Sequence, residues 1–163
     1  MEYIESLSGD NGCFLCRYRE ATENDSENFV LWRGQRCFVV LNRFPYTNGH
    51  AMVAPLAHIA TLADLDTETM CELTAMVRDL QGVLTDVVHA DGFNIGMNIG
   101  RCAGAGLPDH LHVHVVPRWN GDTNFMPVFG EVRVIPMSLK SLYGKLREAS
   151  ERMRPPRSTP EQR

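Results

Sequence analysis

The sequence predicts an α+β domain on a mainly antiparallel sheet of five to six strands, with one long helix and a second helix near the C-terminus. Three observations predict it. Short β-branched and aromatic runs alternate with turn residues. One stretch, 66–89, repeats its apolar residues every three or four positions. Histidines alternate with aliphatics in "HLHVHVV", residues 110–116. With 163 residues, 44% of them hydrophobic, the chain can build one core and is too short for two.

The elements follow in order. Residues 1–12 are polar and expected to be flexible, and the domain runs from Cys13 to about residue 150. "FVLW" (29–32) and "CFVVLN" (37–42) are two strand-like runs separated by "RGQR", a hairpin pattern. "GHAMVAP" (49–55) reads as a third strand after the turn-rich "RFPYTN". Asp66 can cap a helix reaching about His89, with Met70, Leu73, Val77, Leu80, Leu84 and Val87 on its apolar side and "ADG" ending it. "FNIGMNIG" (93–100) reads as a strand that enters a loop holding Gly100, Gly104 and Gly106. The histidine strand comes next, then a turn at "WNGDTNF" and a further strand pattern at "EVRVIP" (131–136). Ser138 can cap a last helix carrying Leu139, Leu142, Tyr143 and Leu146. The tail, 151–163, has too little apolar content to fold and is expected to be disordered.

Bulk properties exclude several functions. A net charge of −4 argues against a general binder of nucleic acid or membrane surfaces. No apolar run approaches the ~20 residues of a spanning helix. The acidic start "MEYIESLSGDNG" is unlike a signal peptide, so the expected location is cytoplasmic. Five cysteines, two of them in "CFLC", suit reduced thiols or metal better than a disulfide framework.

The chemistry concentrates in the histidines. In an extended segment His110, His112 and His114 point to one face and Leu111, Val113 and Val115 to the other. At roughly 3.4 Å per residue the outer two lie about 13–14 Å apart, too far to share one ion, so the row must hold at least two roles. Cys13 and Cys16 have metal-ligand spacing, and a Cys₂His₂ site would need two histidines from elsewhere. The candidates are His58, in "PLAH", and one end of the row. A thioredoxin-like redox pair is the weaker reading, because nothing strand-like precedes Cys13. The glycine loop can bring backbone N–H groups close to a phosphate, and it feeds directly into the histidines. His89 reads as structural.

"His110-Leu-His112-Val-His114-Val-Val", with "CFLC", "VVLNRFPYTNGHAMVAPLAH" and "GMNIG" upstream in order, resembles the histidine-triad (HIT) family of nucleotide hydrolases and transferases. "PRWNGDTNFMPV" is similar to the branch of diadenosine tetraphosphate phosphorylases, also called ATP adenylyltransferases. The resemblance implies a HIT-like fold over residues 13–150 and a nucleotidyl-histidine intermediate on His112. It implies that His114 and His50 act on the phosphates, and that Asn42 binds ribose with Phe38 and Phe44 near the base. Asn98, Gly104, Ala105 and Gly106 match the phosphate-contacting loop. Family members often carry Gln or Ser where this chain has Gly106, so a side-chain donor is missing there. The resemblance also implies a structural zinc on Cys13, Cys16, His58 and His110, an AMP-containing substrate, and a homodimer. Hydrolase, phosphorylase and phosphoramidate hydrolase share the first chemical step. A non-catalytic nucleotide-binding module is the reading from another class.

Overall fold

The computed structural model describes residues 12–122 and 137–153. Its elements in chain order are α1 (Phe14–Glu20), α2 (Asp25–Asn28), β1 (Val30–Arg33), β2 (Cys37–Leu41), β3 (Ala51–Pro55), α3 (Thr67–Val88), β4 (Gly92–Gly96), β5 (Val113–Arg118) and α4 (Leu139–Met153). The five strands form one antiparallel sheet in the order β1-β2-β3-β5-β4. The predicted strand at 131–136 lies outside the described residues, as do 1–11 and 154–163.

Strand alternation splits the sheet into two faces. Val39, Leu41, Val53, Val113 and Val115 pack with Leu73, Met76, Leu80 and Leu84 of α3 and Leu142 and Leu146 of α4 in the larger core. Phe38, Val40, Met52 and Ala54 face the other way and form a smaller core with Leu15 of α1. The second face is therefore roofed over β1–β3 by the N-terminal helix. Over β5 and β4 it carries polar side chains instead.

The long helix obeys its end signals. The Asp66 carboxylate accepts the Thr69 backbone N–H at 2.7 Å, as an N-cap should. His89 closes the other end in the left-handed region at φ 52°, its N–H on the Thr85 carbonyl, which accounts for it structurally. The Ser138 hydroxyl receives the Ser141 N–H at the start of α4.

Several boundaries differ from expectation. Glu151–Met153 continue α4 rather than opening the tail. "FNIGMNIG" is a strand only to Gly96. The CxxC opens a helix, with Cys13 at its N-cap; a seven-residue helix is too short to display periodicity. The ladder takes up the histidine segment only at Val113. Ahead of it the Leu111 N–H goes to the Ile59 carbonyl at 2.6 Å, so loop contacts hold His110–His112. No helix among the described residues is long and apolar enough to cross a membrane.

Candidate functional site

The histidine row divides as its length requires. His110 and His112 are buried just ahead of β5, and His114 is the second residue of that strand, paired with Met52 on one side and Gly96 on the other. The rings of His112 and His114 stand edge to face, 4.8 Å between centroids. His110 turns away to meet His58, 5.1 Å between centroids.

At the His110 end, the ligand atoms of Cys13, Cys16, His58 and His110 all lie within 4.8 Å of one another. His110 Nδ1 is 3.1 Å from Cys13 Sγ and 3.5 Å from Cys16 Sγ, and His58 Nδ1 is 3.2 Å from Cys16 Sγ. His110 Nε2 lies 2.9 Å from the Pro55 carbonyl, which can only accept. That places the ring's hydrogen on Nε2 and its lone pair on Nδ1, facing the thiols. Two sulfurs and an imidazole lone pair are a soft, tetrahedral-type donor set, and the cluster can hold a metal ion. Burial pushes the Cys13 thiol up to about 11, against the Cys16 backbone N–H, which lowers it. The helix that carries both cysteines is tied down through its last carbonyls. Arg33 donates to the Tyr18 and Arg19 carbonyls and pairs with Asp25.

At the other end backbone groups fix the tautomers of His112 and His50, and His50 in turn fixes that of His114. His112 Nδ1 donates to the His110 carbonyl at 2.8 Å, leaving Nε2 as a free lone pair. The Tyr46 N–H lies 3.2 Å from His50 Nδ1, which must therefore accept, and the Asn42 amide nitrogen approaches the same atom at 3.4 Å. His50 then carries its hydrogen on Nε2, 2.9 Å from His114 Nδ1. His114 accepts there, so its Nε2 bears the hydrogen and is a donor. Burial, then the His114 and His112 charges, lowers His50 to about 3; burial, then the His112 charge, lowers His114 to about 4. Burial also lowers His112, partly offset by its bond to the His110 carbonyl. Neutral rings make these tautomers meaningful at pH 7.

His50 reaches its place through a turn that only glycine permits. Gly49 has φ +87°, and a Cβ there would sit 3.0 Å from the Leu84 side chain and 3.3 Å from Pro117. His50 is fully buried, and its Nε2 meets His114 Nδ1. Phe38 has no exposed surface and packs in the smaller core. Phe44 is exposed, and its N–H is held by the Asn42 side-chain oxygen at 2.9 Å. The Gly104 N–H already closes a turn on the Arg101 carbonyl, leaving Ala105 and Gly106 to offer backbone donors.

Asn98 lines a cavity of about 390 Å³ beside His114, together with Asn94, Gly96, Val116 and Tyr46. Sequence reasoning missed Tyr46, whose ring also lies 4.6 Å from that of His50. A main-chain donor four residues before its acceptor leaves no mark on composition. It missed the Pro55 carbonyl for the same reason.

A HIT domain profile matches residues 23–121. Over 117 residues the chain is 44% identical to an AP-4-A phosphorylase of Mycobacterium tuberculosis, covering 72% of this chain; the chain spans about 60% of that relative's length. It is 34% identical over 132 residues to the asymmetrical bis(5'-nucleosyl)-tetraphosphatase of Schizosaccharomyces pombe, covering 79% of this chain and 71% of that protein. A crystal structure of a Zn-bound histidine triad family protein from Mycobacterium smegmatis matches with a TM-score of 0.69 at 26% identity, over 89% of this chain and 97% of that one. The alternating histidines, the fold that carries them and these matches agree, and the chain belongs to the HIT family.

Proposed function

We propose that the protein transfers or hydrolyses the adenylyl group of adenine dinucleotides such as diadenosine tetraphosphate, through a nucleotidyl intermediate on His112. The observation that carries this reading is the 2.8 Å bond from His112 Nδ1 to the His110 carbonyl. It leaves Nε2 of a neutral imidazole free for attack without a separate base. Nε2 forms a bond to the α-phosphorus, and the bond from that phosphorus to the bridging oxygen breaks. The departing polyphosphate carries away the electron pair, met by the His114 Nε2–H. The positive charge that develops on the His112 ring is shared through Nδ1–H with the His110 carbonyl. In the second step water or inorganic phosphate attacks the same phosphorus, the phosphorus–nitrogen bond breaks, and His112 returns to neutrality as the acceptor gives up its proton. Water yields AMP; phosphate yields ADP. The mycobacterial relative, named a phosphorylase, favours phosphate as acceptor.

Asn42, Phe44, Asn98, Ala105 and Gly106 are the residues we assign to the nucleotide, with His112 as nucleophile and His114 as donor. Zinc on Cys13, Cys16, His58 and His110 supplies a closed cross-link between α1 and the segment before β5 when bound. In this reading two copies associate. β4 ends the sheet among the described residues and leaves Ile95 exposed along that edge. Analytical ultracentrifugation showing a monomer at micromolar concentration refutes the dimer alone.

The test of the central reading is to incubate the protein with diadenosine tetraphosphate, with and without inorganic phosphate, and to identify the products. ATP with ADP marks a phosphorylase, and ATP with AMP a hydrolase. Consumption of the dinucleotide at an unchanged rate by His112→Asn rules out the covalent route.

A further inference from the structure

Apart from the His114 donor at the scissile bond, the proposed chemistry assigns no residue to the leaving part of the substrate. The 390 Å³ cavity lies on the side of His114 away from the roofed half of the sheet, over β5 and β4. Its volume falls within the roughly 300–1,000 Å³ usual for small-molecule sites.

Gly96 is the informative residue. It sits in a strand, where glycine weakens the ladder, directly opposite His114. Its backbone is not in the left-handed region, so the main chain does not demand glycine. A Cβ placed there would meet nothing within 4 Å, so close packing does not demand it either. What its missing side chain does is keep open the space beside the His114 ring. Glycine within a strand often marks the close approach of a ligand.

The flanking residues describe that ligand. Asn94, two positions before Gly96 in β4, shares its face, and Asn98, in the loop just after the strand, lines the same cavity. The Asn94 oxygen accepts from Arg118 at 2.7 Å, which leaves its amide nitrogen as a donor. Arg118 lies about 13–14 Å along β5 from His114 and is ion-paired to Asp122, so the far end offers hydrogen bonds with little net charge. Neutral amides, the apolar Val116 and the Tyr46 ring suit a nucleoside better than a bare phosphate chain.

In an in-line displacement the leaving group departs opposite the nucleophile and the acceptor later arrives along the same line. Resting on the proposed His112 chemistry, we propose that this cavity binds the leaving half of the substrate, the distal nucleoside with its phosphates, and that Gly96 sets the room for it. The transferred adenosine lies elsewhere.

The test uses the full chain with Gly96→Ala and Gly96→Val, which grow into the cavity without touching His112. Two adenylyl donors are compared: diadenosine tetraphosphate, and adenosine 5'-phosphoramidate, whose leaving group is only ammonia. For Gly96→Val the inference expects kcat/KM for the dinucleotide to fall tenfold or more, mainly through KM. The phosphoramidate rate and the calorimetric affinity for AMP should stay within about twofold, and Gly96→Ala should fall between. Equal losses for both donors, or weakened AMP binding, would place the transferred nucleotide in the cavity and overturn the inference. Unchanged values for both donors would overturn it too. A wild-type protein that forms no adenylyl-His112 from either donor refutes the parent reading instead, before any variant is made.

Discussion

His110 and His114 are the same residue type four positions apart and share the Nε2–H tautomer, yet the fold puts opposite nitrogens to use. His110 donates from Nε2 to the Pro55 carbonyl and turns a Nδ1 lone pair toward two thiols. His114 accepts at Nδ1 from His50 and is left with Nε2–H as a donor. One ring is prepared to bind a cation, the other to give a hydrogen bond to an oxyanion. The contrast teaches that an imidazole's role here is decided by which nitrogen its partner occupies, a backbone carbonyl at His110 Nε2 and the His50 ring at His114 Nδ1. His112 sits between the two ends and takes its own tautomer from the His110 carbonyl. His110, one of the four residues that could hold a metal, thus also orients the His112 ring.

The largest effect should come from the residue on which both ends converge. His112→Asn should lower turnover of diadenosine tetraphosphate on the order of 10⁴-fold or more, since losing a nucleophile removes the reaction route itself. Acid-quenched trapping of labelled protein checks this, and label retained in the variant contradicts it. Next comes the metal end. Cys13→Ser with Cys16→Ser, or a strong chelator, should lower Tm by roughly 5–10 °C, corresponding to about 2–3 kcal/mol for a chain of this size. His114→Gln should move Tm far less while reducing turnover. Equal thermal shifts from both ends would erase the distinction.

The His50 relay should matter less than the nucleophile and leave the cluster untouched. His50→Leu should cost about 10–10²-fold in kcat, as removal of a group that orients a catalytic histidine does. His50→Gln, which can still donate to His114 Nδ1, should restore part of it. Metal content measured by atomic absorption should be the same in both variants, and a loss there would mean the two ends are not separable.

The smallest predicted effect is in pH. His112 must be neutral to attack, and burial lowers its pKa below the usual 6.5, so the acid limb of kcat/KM should fall below pH 6.5. Stability follows the same direction. The unfolded chain takes protons on these histidines near pH 6.5, whereas folded His114 resists to about 4 and His50 to about 3. Below pH 6.5 the unfolded state binds more protons, so stability should decrease steadily from there toward pH 3. Denaturant titrations at pH 7.5, 6 and 5 measure this, and a flat or rising profile on acidification contradicts it.

The parts that were legible were those with a period or a spacing. Apolar residues every three or four positions, an acidic cap at Asp66 and the stop after Val88 outlined α3 to within a residue. Strict alternation separated Val113 and Val115, which enter the core, from the histidine face. The CxxC and its distant histidines belong together because few other residues can complete such a donor set. Short and non-periodic features were hidden. Helix α1 was one, and the release of His110–His112 from the ladder to an Ile59 carbonyl was another.

By itself the sequence determined the inventory: three imidazoles at alternate positions, two thiols three positions apart, and a glycine before His50. It could do so because those properties depend on neighbours in the chain. Only the tertiary structure decided what each imidazole is for. His50 meets His114 across 64 residues and His110 meets Pro55 across 55, and a hydrogen's place on a ring is set by such partners.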